Sequence, residues 1–157
     1  MTDHKPPRLL ADERQMLVAL LQYQRESLVR KVTGVSEQEA RRRFVGSATT
    51  LLWLITHMTR AEATWVLRRF AGEAAEPPAD EPGPHETVAG AVEAYRRMWQ
   101  TVDAVVEGAG LDAPCADVGE EAAVNLRWVL AHLLEETARH AGHADILREL
   151  VDGTTGR

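Results

Sequence analysis

One cysteine, Cys115, stands in a chain of 157 residues, so no disulfide can form within it, and that fits a reducing compartment. Long apolar runs are missing too. None approaches the ~20 residues of a membrane span, and the opening MTDHKPPRLL lacks the apolar core of a signal peptide, so the expected location is the cytoplasm. A basic excess is also absent. The formal net charge of −6 argues against nucleic acid as the main partner, because phosphate binding needs a basic surface. The densest basic run, Arg41 to Arg43, is diluted by Glu37 and Glu39 just before it. Strand signals are missing as well: there is no sustained alternation of apolar and polar residues and no hairpin turn between β-branched runs.

What is present reads as helix. With 45% hydrophobic and 27% charged residues, the composition is that of a soluble globular protein, and the length is that of one domain with its own core. The expected domain spans residues 1–157, with residues 1–8 and 153–157 loose. Met16, Leu17, Leu20, Leu21, Leu28 and Val32 recur at spacings of three and four and predict a first helix over Leu10 to Val32, ended by Gly34. Ser36 with Glu39 is a capping box and predicts a short polar surface helix over Ser36 to Arg43. A second long helix is predicted over Thr50 to Ala71, capped by Ser47 or Thr49. Its stripe is Leu51, Leu54, Ile55, Met58, Ala61 and Trp65. Pro77, Pro78, Pro82 and Pro84 mark Glu73 to His85 as loop. A third long helix is predicted over Glu86 to Val106, then a polar connection over residues 111–123 containing Pro114 and Cys115. The expected fold is therefore an all-α four-helix bundle with a short extra helix after the first long one. The unequal links leave its topology open.

The last predicted helix, Asn125 to Val151, concentrates the chemistry. Leu126, Val129, Leu133, Thr137, Ala144 and Leu147 form one stripe at ~100° per residue, and His140 falls inside it. Glu136 precedes His140 by four residues, so the two are surface neighbours one turn apart. His132 and His143 lie further round, nearer water. An imidazole and a carboxylate turned toward a core are costly unless paired or bound to a metal. Such a pair can equally be an ordinary helix-stabilising contact, and at this point both readings stand. His57, at the margin of the second helix's stripe, is the one histidine on any other predicted helix. If the second and fourth long helices face each other, His57 can meet Glu136 and His140, and three ligands would leave an open coordination position. His143 is a candidate for supporting a ligand from outside. His4 and His85 read as solvated loop residues. Trp53, Trp65, Trp99 and Trp128 read as packing mass, and Cys115 as an incidental loop thiol without a basic neighbour in sequence.

The segments LLWLITHMTRAEATWVLRRFAG and NLRWVLAHLLEETARHAGHADILREL resemble the DinB-like superfamily, and more narrowly its branch of mycothiol-dependent S-transferases and mini-circle-type proteins. The resemblance covers almost the whole chain, and EETARHAGHADILRE is its most specific part. It implies a four-helix bundle holding a divalent metal, zinc or nickel, with one histidine on the second long helix and two ligands a turn apart on the last. The matching positions are His57, Glu136 and His140. Many relatives carry a third histidine where this chain has Glu136; the carboxylate version is similar to that of mycothiol-dependent maleylpyruvate isomerase. The implied activity is a thiol S-transferase using mycothiol or a similar small thiol on small electrophiles. The alternatives are a hydrolase using metal-bound water and a non-catalytic metal-binding or stress-associated bundle. The expected partners are small molecules, not nucleic acid or a membrane, with a homodimer left open.

Overall fold

The computed structural model describes residues 5–117 and 122–156. His4 lies outside them. The chain forms α1 (Glu13–Val32), α2 (Glu37–Ala40), α3 (Leu51–Glu62), which runs on without a break as a π-helix over Ala63–Phe70, α4 (Val88–Glu107) and α5 (Leu126–Asp152). Among the described residues there is no strand, only an isolated antiparallel bridge between Pro114 and Asn125. No described helix is long and apolar enough to cross a membrane.

Local side-chain hydrogen bonds set the helix starts. Asp12 accepts from the Gln15 N–H at 2.8 Å, so α1 begins later than its periodicity suggests and leaves Leu10 outside, fully exposed. Neither Ser47 nor Thr49 caps α3. Their hydroxyls bond each other at 2.9 Å, and Thr50 takes the role by accepting from the Trp53 N–H at 3.1 Å. The predicted single α-helix over Thr50 to Ala71 also changes character. Past Glu62 it widens, as in the bond from the Ala71 N–H to the Val66 carbonyl at 2.9 Å, five residues back. Thr87 caps α4, and the Glu37 carboxylate of α2 accepts from the Val88 N–H at 3.0 Å. The short helix thus fills an orphan donor of a long one, and its Ala40 is fully buried rather than on the surface. Asn125 caps α5, and Gly153, at a left-handed φ of 74°, ends it.

The buried side chains fall into two clusters, and these fix the helix directions. One joins Leu28 and Val32 of α1, Leu51 to Ile55 of α3, Val88 to Tyr95 of α4 and Ala141 to Leu147 of α5. The other joins Leu21 of α1, Val66 and Phe70 of the π segment, Val102 and Val106 of α4 and Leu126 to Leu133 of α5. Hence α1 and α5 run one way, and α3 and α4 run the other. α1 packs chiefly on α5, while α3 with its π extension packs on both α4 and α5. Because α3 and α4 are parallel neighbours, the link between them must return along the whole bundle. The proline-rich residues 71–87 make that return.

Between the two apolar clusters lies a polar level. Arg25, Glu62, Thr137 and His140 are all buried there. Arg25 bonds both oxygens of Glu62 and reaches Asp103 at 2.9 Å. Burial holds the Glu62 carboxyl above the ordinary carboxylate range even though the Arg25 fork pulls it down.

Candidate metal centre

The same polar level carries the candidate site, where α3 and α5 meet. His57 sits between Leu54 and Met58, both fully buried, and on the flank of that apolar stripe it keeps 25% of its side chain exposed. Glu136 and His140 rise from consecutive turns of α5 with side chains 22% and 11% exposed. Ligand atoms of His57, Glu136 and His140 all lie within 4.8 Å of one another. Among the described residues, this is the one group of three or more histidine, cysteine or carboxylate side chains close enough to share an ion.

Each ring is held by its neighbours. Trp53, one turn before His57, lies flat against it, with ring centroids 4.5 Å apart and planes 16° from parallel. The His57 and His140 rings meet edge to face at 4.9 Å. His140 Nε2 is 3.5 Å from Glu136 Oε2. Burial, followed by repulsion from the neighbouring His57, pushes the His140 imidazole down to about 4, with the Glu136 carboxylate opposing. At neutral pH His140 is therefore uncharged, with a lone pair free for a ligand bond. Two imidazole nitrogens and one carboxylate oxygen are a donor set that suits zinc or nickel and leaves a coordination position open.

The remaining sequence candidates sit elsewhere or at the margin. His143 is exposed, and its Nδ1 lies 3.4 Å from that of His140, the outer edge of hydrogen-bond range. His132, one turn before Glu136, is stacked on Trp128 at 4.8 Å and meets the edge of Trp65 at 4.6 Å, apart from the three-residue group. His85 is exposed in the crossover loop. Trp99 is buried in one apolar cluster, and Trp53 and Trp65 pack against the clusters while also facing histidines; Trp128 is 43% exposed. Cys115 is buried, which pushes its thiol up; Arg69, distant in sequence, opposes that shift.

One residue had no sequence signal at all. Asp80, in the crossover loop, accepts a hydrogen bond from His57 Nδ1 at 2.7 Å. It sits in an aperiodic proline-rich stretch, so only the path of the loop over α3 reveals the contact.

Three comparisons bear on this site. The sequence model of a family described as mycothiol-S-transferase matches residues 16–153. No curated protein matches the chain. Among solved structures, a conserved protein from Enterococcus faecalis is similar with a TM-score of 0.68, over 92% of this chain and 99% of that one, at 14% identity. At that identity the likeness is one of fold.

Proposed function

This chain belongs to the mycothiol-S-transferase family, and from that premise we propose that it joins a small thiol, mycothiol or a similar one, to small electrophiles in the cytoplasm. His57, Glu136 and His140 would hold the divalent metal, with zinc the first choice and nickel the second. The observation that carries the proposal is the approach of those three ligand atoms to within 4.8 Å at the polar level of the bundle.

A divalent metal bound there supplies Lewis acidity that lowers the pKa of a thiol, so that thiolate, the attacking form, is available at neutral pH. The chain's own residues do the rest. Two imidazole nitrogens, from His57 and His140, and one Glu136 carboxylate oxygen would bring at most a single negative charge, so the donor set would leave net positive charge on a divalent ion. The Trp53 ring covers the face of His57 and limits water there. Glu136 and His57 each keep about a quarter of the side chain in contact with solvent, so a small molecule would reach the ligands from that side.

Metal analysis of protein purified without a histidine tag, followed by an assay of electrophile loss with and without added thiol, tests the proposal. The expected result is one metal equivalent and loss that requires thiol, with the sulfur retained in the product. Loss without thiol would assign the chemistry to water instead. Bound metal with neither activity would leave a metal-binding bundle.

A further inference from the structure

The crossover between α3 and α4 is pinned at successive points, three along α3 and its π extension and the last at the end of α2. Arg68 pairs with Glu76 at 2.6 Å. Arg60 donates to the Pro78 carbonyl at 2.6 Å. His57 donates to Asp80 at 2.7 Å. Arg41 donates to the carbonyls of Gly83 and Glu86 at 2.8 and 2.6 Å. The loop therefore runs antiparallel to α3 like a strap, and its only side-chain contact with the candidate ligands among these is Asp80.

That contact has a geometric consequence. An imidazole turned half a revolution about its Cβ–Cγ bond exchanges Nδ1 for a carbon and Nε2 for a carbon. With Nδ1–H held by Asp80 on one edge and Trp53 against one face, the ring keeps Nε2 as its free nitrogen and cannot present carbon in its place. Carboxylates that accept from the far nitrogen of a ligand histidine set its tautomer and raise its basicity. Exposure of 25% for His57 and 42% for Asp80 makes the pair too open to the solvent for a large contribution to stability by itself.

We propose that Asp80 is the positioning residue for His57, its carboxylate fixing the ring so that Nε2 faces Glu136 and His140. This rests on the metal reading given above.

The test uses the full chain and zinc alone. Zinc affinity is measured by competition with a chromogenic chelator for wild type, Asp80→Ala, Asp80→Asn and Glu76→Ala. The last of these removes a strap anchor that does not touch His57. Asp80→Ala should bind zinc about 10- to 100-fold more weakly. Asp80→Asn, whose amide oxygen still accepts from Nδ1–H, should lose less, and Glu76→Ala should bind as wild type. In the metal-free protein at about pH 8, where an ordinary imidazole is neutral, long-range proton–nitrogen spectra should show His57 protonated on Nδ1 in wild type and shifted toward Nε2 in Asp80→Ala. Equal zinc affinity and an unchanged tautomer in Asp80→Ala overturn this inference alone. An equal loss in Glu76→Ala also overturns it, because the strap rather than the carboxylate would then be responsible. Wild-type protein that binds no zinc overturns the metal reading and this inference with it.

Discussion

The Glu62 carboxylate and the Arg25 guanidinium meet as a two-pronged pair, Nε to Oε1 at 2.8 Å and Nη2 to Oε2 at 2.6 Å, and neither side chain reaches solvent. They join α1 to the end of α3 at the level where the two apolar clusters give way to the candidate metal site. Arg25→Met strands a buried carboxylate, a change that costs about 3–5 kcal/mol. Replacing both partners, as Arg25→Met with Glu62→Leu, should recover much of that loss. Urea unfolding of the single and double variants measures the difference; a single variant within ~0.5 kcal/mol of wild type would show that the pair is not a tie.

Glu136→Gln and His140→Ala separate ligation from packing. The glutamine keeps the shape of the side chain and removes its charge, so bound metal should fall steeply under a competing chelator while the metal-free variant unfolds close to metal-free wild type. The alanine also opens a space beside Thr137 and Ala144, both fully buried, so it should lose metal and, as apoprotein, on the order of 1–3 kcal/mol. Full metal retention in Glu136→Gln would remove that residue from the ligand set.

Metal-free protein should lose stability on mild acidification through His140. In the unfolded chain this imidazole takes a proton near 6.5, and in the fold it does so only near 4. Between those values the unfolded state binds more protons, so stability is complete above pH 6.5 and declines as pH falls toward 4, by roughly 3 kcal/mol at most. His140→Gln should show a shallower decline over the same window. Parallel pH curves for the two proteins would contradict the shift.

Thr50→Ala removes the hydroxyl that accepts from the Trp53 N–H and should cost about 1 kcal/mol. Thr49→Ala and Ser47→Ala, whose hydroxyls bond each other in an exposed turn, should stay within ~0.5 kcal/mol of wild type. Thermal unfolding of the three variants ranks the caps, and a larger loss at position 49 than at 50 would move the helix start.

Features set by neighbours along the chain were legible in the sequence. The Ser36 and Glu39 box, the Asn125 cap and the one-turn spacing of Glu136 and His140 depend on contacts three or four residues apart, which helical periodicity encodes directly. So was the all-α class, because amphipathic stripes at 3.6-residue spacing, with no strand pattern to supply a sheet, can bury their faces only against one another. The choice of Thr50 over Thr49 and the widening after Glu62 were not legible. Thr49 and Thr50 offer the same hydroxyl one residue apart, and the apolar stripe continues across Glu62, so the local pattern does not distinguish either choice.

The composition and pattern of the chain thus determined its helices, its lack of strands and the pair of ligand-type residues on α5. Only the tertiary structure decided that α1 and α5 run together against α3 and α4, that His57 comes within reach of that pair, that Arg25 finds Glu62 and that Asp80 finds His57. The physical reason is separation. Residues 23 and 37 positions apart meet through the path of a crossover and the packing of whole helices, and periodicity carries information about only a few turns at a time.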